Sequence, residues 1–270
     1  MTSFLCITGA AGGLGKAFAV ECAARGWNLF LTDISETALT ELATALSNTY
    51  GVEVYSHRCD LTEINSRAAL FEYLQQRRFS FWGLINVAGI DFEGPFSQKT
   101  RAQIRNIVRV NIEATLEMSH AILELRHPKE IFRLINVSSL ASFYPMPVKA
   151  TYAASKRFLL DFSLALREEI RPSGGTVTVL CPAGLPTTPS AIRGIEAQGW
   201  AGRITTQNVG IVAARTIDSA LKGRAIYIPG FTNRLLRFLG SLVPAQITAF
   251  LVGMRWKTAH QKSHVEVYES

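Results

Sequence analysis

Phe4-Leu5-Cys6-Ile7-Thr8-Gly9-Ala10-Ala11-Gly12-Gly13-Leu14-Gly15 runs from a short apolar segment through a glycine-rich turn and straight into a helical pattern. The apolar residues suit a strand buried on both faces. Gly9 serves the tight turn, and Gly13, with no Cβ, lets backbone approach a pyrophosphate. Gly15 permits close helix packing, and the free N–H groups at the helix start, Leu14 among them, are left to hold phosphates. An ordinary glycine-rich turn shares this composition, so the motif alone is weak evidence. Its position at the first strand–helix junction strengthens it.

The same alternation continues along the chain. Trp27–Thr32, Val52–Arg58, Gly83–Asn86, Ile131–Val137, Thr176–Leu180 and Ala225–Ile228 read as strands. Helical patterns separate them: Leu14–Arg25, a helix capped by Ser35 and running to about Tyr50, a third capped by Thr62, then Arg101–Leu125, Thr151–Ile170 and Asn208–Leu221. Alternating apolar strands and helices predict an α/β, Rossmann-type fold, a doubly wound parallel seven-stranded sheet with helices on both faces. No linker or repeat interrupts it, so residues 1–270 read as one domain.

With 48% hydrophobic and 18% charged residues, the chain suits a soluble globular protein. No basic segment precedes Phe4–Ile7, so no secretory leader is read there. Leu239–Met254 is interrupted by Pro244, Gln246 and Thr248, too broken to span a bilayer. A cytoplasmic location follows, with peripheral membrane contact through the C-terminal segment kept open. Cys6, Cys22, Cys59 and Cys181 form no CxxC pair and read as small buried hydrophobes. His260 and His264, four apart near the tail, read as a solvated helix face, and no metal is expected. Residues 219–270 hold seven Lys/Arg against two acids, so the net charge of +7 is a local basic patch, which argues against nucleic acid as a partner.

Asp33 ends the second strand, where a carboxylate accepts hydrogen bonds from the adenosine ribose and repels a 2′-phosphate. No basic residue follows at Ile34 or stands at Gly12. The cofactor reading is therefore NAD in preference to NADP.

Four further pieces follow in order: Asn86-Val87-Ala88-Gly89 after the fourth strand, Asn111 in the next helix, Ser139 after the fifth strand, and Tyr152-Ala153-Ala154-Ser155-Lys156. With the glycine turn, they resemble the short-chain dehydrogenase/reductase family from about residue 2 to residue 230. The resemblance implies Tyr152 as catalytic acid/base, Lys156 as its partner, Ser139 as the carbonyl-binding hydroxyl and Asn111 as the fourth catalytic member. It also implies that Asp60, followed by Leu61, lies beside the adenine. Asn86, Ala88 and Gly89 would lie along the cofactor, and Pro182 and Thr187 would cover its nicotinamide side. Val87 and Ala183 depart from the usual Asn and Gly of the family pattern, and Ala183 adds a methyl group close to the pocket.

The chemistry is consistent with these types. A phenol is a poor base near neutral pH, and an ammonium one helical turn away, together with the positive nicotinamide ring, is expected to lower its pKa. Ser139 would donate to the substrate oxygen as charge develops on it. Asn111 is expected to order a water or the backbone around Lys156.

On the substrate side, Ser139, Tyr144, Tyr152, Ala183 and Trp200 are expected to touch the ligand, with residues 186–204 as a lid. Phe143, Met146 and Val148 add an apolar lining, which favours a lipophilic ketone or alcohol such as a hydroxysteroid or acyl ketone. A basic-apolar extension at 231–264 could rest on anionic lipid, or pack on the domain or on a second subunit. The resemblance implies a homodimer or homotetramer through the two long helices at 101–125 and 151–170. Alternatives are an NADPH-dependent carbonyl reductase and a non-catalytic dinucleotide sensor.

Overall fold

In the computed structural model, which describes residues 2–187, 192 and 205–254, the apolar runs form one sheet whose neighbouring strands are all parallel. The strands are β1 (Phe4–Thr8), β2 (Leu29–Asp33), β3 (Val54–Arg58), β4 (Phe81–Asn86), β5 (Arg133–Val137), β6 (Thr176–Leu180) and β7 (Ile226–Tyr227). The helices are α1 (Gly13–Ala24), α2 (Glu36–Tyr50), α3 (Ile64–Gln76), α4 (Arg101–Val108), α5 (Ala114–Glu124), α6 (Ala150–Ile170), α7 (Val209–Leu221), α8 (Phe231–Ser241) and α9 (residues 245–254).

Across the sheet the order is β3-β2-β1-β4-β5-β6-β7. The chain moves outward from β1 to β3, then returns to the other side of β1 with β4. The loops after β1 and β4 therefore flank the crevice where such sheets bind ligands. Successive β1 residues serve opposite cores. Leu5 and Ile7 pack with Phe18, Leu39 and Ile217, whereas Phe4 and Cys6 pack with Leu70, Leu74, Met118 and Ile122. Apolar residues at every position are thus needed where helices cover both faces. All four cysteines are buried and unpaired within these layers.

Four local expectations are corrected. Edge strand β3 is not uniformly apolar, because one side of it faces solvent, and none of its five residues is fully buried. Ser35 occupies the N-cap of α2 without a side-chain bond. Its N–H instead donates to Asp33 Oδ1 at 3.1 Å. Glu63 rather than Thr62 is at the N-cap of α3, and Thr62 donates its hydroxyl to Asp60 Oδ1 at 2.7 Å. The expected helix at 101–125 is broken by a π-helical turn at Arg109–Glu113. Buried Arg67 pins this turn to α3. Its guanidinium bonds Glu113, Glu117 at 2.7 Å and the Leu61 carbonyl at 2.7 Å.

Candidate active site at the sheet switch point

The turn after β1 is built by backbone crowding. Gly9 has φ 63°, and a Cβ there would lie 2.9 Å from the Ala88 backbone. A Cβ at Gly15 would lie 1.9 Å from the Gly9 carbonyl oxygen, so Gly15 answers to the turn itself as well as to helix packing. A Cβ at Gly13 would meet Thr187 at 2.9 Å, which places Thr187 against the turn. Thr8 Oγ1 accepts from the N–H groups of Val87 and Ala88 at 3.2 and 3.3 Å and ties the two switch-point loops together.

These residues fit a dinucleotide. No side chain caps α1, so its first-turn N–H groups are left for an anion. Asp33 stands beside them, its Oδ2 accepting from the Ala11 N–H at 3.0 Å. The sheet also brings Arg58 opposite Asp33 in register, a cation that linear spacing did not reveal. Asp60 Oδ1 accepts from the Thr62 N–H at 2.9 Å, and Leu14 and Leu61 are buried behind the two loops.

The four expected catalytic residues converge from different elements. Ser139 leaves β5 as the cap of a short 3₁₀ turn, its Oγ accepting from Ala141 N–H at 3.1 Å. Its hydroxyl faces the Tyr152 phenol and acts to lower that phenol's pKa. Lys156 Nζ is 5.7 Å from the Tyr152 ring centre and donates to the Val137 carbonyl at 2.8 Å. A Cβ at Gly89 would lie 3.1 Å from that ammonium and 3.4 Å from Asn111 Oδ1, so the loop after β4 touches both. Asn111 sits in the π turn. Its Oδ1 accepts from the Ile90 N–H at 2.8 Å, and its Nδ2 donates to the Ile90 carbonyl and Ser155 Oγ, both at 3.0 Å. The Lys156 carbonyl is held instead by Ser138 Oγ, at 2.7 Å. Asn86 turns its Nδ2 inward, to Ser119 Oγ at 3.0 Å and Asn136 Oδ1 at 2.9 Å, and braces the loop.

Burial dominates the electrostatics of the pair. Burial pushes the Tyr152 phenol above its ordinary value and outweighs the Ser139 hydroxyl; Asp91 pushes it up further, and Lys149 pulls it down. Burial also lowers Lys156 to about 8, with Asp91 and Cys181 opposing. Without a nicotinamide, desolvation is the larger effect on both groups.

Asp91 and Lys149 are the site residues that sequence reading missed. Lys149 bridges Asp91 at 2.8 Å and Glu93 at 2.9 Å, and its Nζ is 5.9 Å from the Tyr152 ring centre. Lys149 lies three residues before Tyr152 and Asp91 two after Gly89, and that adjacency to both motifs was the only available signal. Next to Lys149, Val148 holds φ 61°, a conformation that costs a β-branched residue about 1–3 kcal/mol.

On the substrate side, Pro182 is buried and its carbonyl accepts from the Leu140 N–H at 2.7 Å, while Ala183 is half-buried. The Tyr144 hydroxyl donates to the Leu236 carbonyl at 2.7 Å, so it latches α8 to the loop after β5. Trp200 and most of the expected lid at 186–204 lie outside the described residues, as do His260, His264 and the extension beyond Met254.

A family model described as short chain dehydrogenase matches residues 3–194. The very-long-chain 3-oxoacyl-CoA reductase of Laccaria bicolor is 31% identical over 173 residues, 63% of this chain and 51% of that protein. Mouse 17-beta-hydroxysteroid dehydrogenase type 3 is 29% identical over 189 residues, 69% of this chain and 61% of that protein. The chain thus spans about half the length of the first of these relatives. A solved short-chain dehydrogenase from Sphingobium yanoikuyae in complex with NADPH superposes with a TM-score of 0.75 at 26% identity, covering 88% of this chain and 93% of that one.

Proposed function

The chain belongs to the short-chain dehydrogenase family, and from that premise we propose that it interconverts a secondary alcohol and a ketone by hydride transfer with NAD(H). The observation that carries the reading is the meeting of the Tyr152 ring with the Lys156 ammonium, 5.7 Å away, and of that ammonium with Asn111 beside Gly89 at the switch point, with Ser139 facing the phenol. When bound, the nicotinamide supplies or accepts the hydride. Tyr152 donates a proton to the carbonyl oxygen in reduction and takes it from the alcohol in oxidation. Ser139 holds that oxygen, Lys156 holds the ribose, and Asn111 fixes the Ile90 backbone alongside. Gly9, Gly13, Leu14, Gly15, Asp60, Leu61, Ala88, Pro182 and Thr187 line the cofactor's path.

Asp33 favours NAD by repelling a 2′-phosphate, although Arg58 on the next strand gives NADP a cation. The apolar loop at 143–148 and the names of the two relatives support a lipophilic ketone, long-chain acyl or steroid in character. The outward Phe158–Phe162 pair on α6, with ring centres 6.3 Å apart, supports a homodimer or homotetramer. No described helix is long and apolar enough to cross a membrane, and we read the C-terminal helices as a peripheral membrane contact.

The test is a panel of hydroxysteroids, acyl ketones and small polar ketones followed by nicotinamide absorbance. Wild-type protein turns over lipophilic ketones with a higher kcat/KM for NADH than for NADPH. Tyr152→Phe lowers kcat at least about 100-fold while NADH binding, read by fluorescence, persists. No turnover with any member would replace the enzyme reading with a dinucleotide sensor.

A further inference from the structure

Resting on the membrane reading above, we propose that α8 and α9 dock on anionic phospholipid, and that a cavity beneath them receives the lipid phosphate through Arg237 and Arg157. In α8 and the turn after it, Phe231, Leu235, Phe238, Leu239 and Leu242 recur at helical spacing, as do Ile247, Phe250, Leu251 and Met254 in α9. A globular helix turns such a stripe toward its core. Here the stripe faces out: Phe231 is 74% exposed, Leu242 68% and Phe250 65%. Monomeric soluble proteins rarely expose a continuous apolar face of this kind.

Charge selects the occupant. Between Asp218 and Glu266 the sequence has no acidic residue and seven Lys/Arg. Such a stretch is attracted to an anionic leaflet and gives a second copy of itself only like charge to meet. The apolar face would enter the acyl boundary, with Arg234 and Arg237 beside it at headgroup level.

The cavity supplies the specific contact. About 300 Å³ in volume, it lies between Phe143 and Tyr144, Arg157 of α6, and Arg237, Ser241 and Thr248 of the C-terminal helices. Asp161 holds Arg157 through Nε at 2.8 Å. The Arg237 guanidinium lies 4.9 Å from the Phe143 ring centre, with no carboxylate in ion-pair range among the described residues. Two guanidiniums and one carboxylate leave the cavity positive, as a phosphate requires. α8 is firmly seated: buried Asn233 donates to the carbonyls of Pro229 and Thr205, and Tyr144 grips the helix at Leu236.

Full-chain protein with NADH is sedimented with phosphatidylcholine vesicles, with and without phosphatidylglycerol. Phosphatidylglycerol is expected to raise binding about tenfold or more. Arg237→Gln should lose most of that gain, keep its binding to plain phosphatidylcholine, and leave turnover of a water-soluble ketone unchanged. Phe250→Ser should weaken binding to both vesicles without altering the fold, checked by circular dichroism. Equal binding to the two vesicles, unaffected by Arg237→Gln, overturns the phosphate site and leaves the membrane reading standing. No binding to either overturns both. So does an oligomer that Leu242→Ser dissociates in the absence of vesicle binding, since the face is then an interface between copies.

Discussion

Burying the Lys156 ammonium, at 3% exposure, moves its pKa from 10.5 down to about 8. Between those values the unfolded chain carries more protons than the folded one, so this residue's penalty on folding is full below pH 8 and fades as pH rises toward 10.5. Relative to Lys156→Met, the wild type should therefore gain about 1 kcal/mol of stability per pH unit from pH 8 to 9.5. Urea unfolding of both proteins at several pH values measures it, and a pH-independent difference would show that the ammonium is not desolvated. The spacing of Tyr152 and Lys156 made the pair legible in the sequence, because positions four apart share a helix face. The Asp91–Lys149 bridge was not legible, since its partners are 58 residues apart and meet only through the sheet.

Among the elements, the first glycine turn was readable and its strictest position can be ranked. A Cβ at Gly15 meets a backbone oxygen that cannot move away, whereas at exposed Gly12 the nearest atom is 3.4 Å off. Gly15→Ala should cost about 3 kcal/mol or more, and Gly12→Ala about 1 kcal/mol or less. Denaturant midpoints of the cofactor-free proteins decide this, and equal costs would mean that the turn is not packed as described. The π turn at Arg109–Glu113 escaped the sequence reading. Its apolar spacing is that of a continuous helix, and the break goes with the long-range Arg67–Glu113 contact and the Asn111–Ile90 bonds.

For the whole molecule, the outward face of α6 carries the assembly prediction. Phe158 is 40% exposed and stacked on Phe162, a ring pair that a partner's matching helix would bury. Wild-type protein is expected to be larger than a monomer in light scattering, and Phe158→Glu to scatter as a monomer with the far-ultraviolet spectrum retained. A monomeric wild type, or a mass that Phe158→Glu leaves unchanged, would overturn α6 as the interface. The parallel seven-stranded sheet was expected from alternation alone, but its strand order was not, nor was the seating of α8 on the loop after Ser139, which rests on Tyr144, Phe143 and Asn233, residues that carry no shared periodicity.

By itself the sequence determined the parallel α/β architecture, the glycine turn and the order of the four expected catalytic types, since these follow from local periodicity, backbone sterics and fixed short spacings. Only the tertiary structure decided which charges surround the phenol, where Arg58 and Arg237 stand, and that the C-terminal apolar stripe faces outward. Those outcomes depend on burial and on contacts between distant segments, and desolvation cannot be read from a linear order of residues.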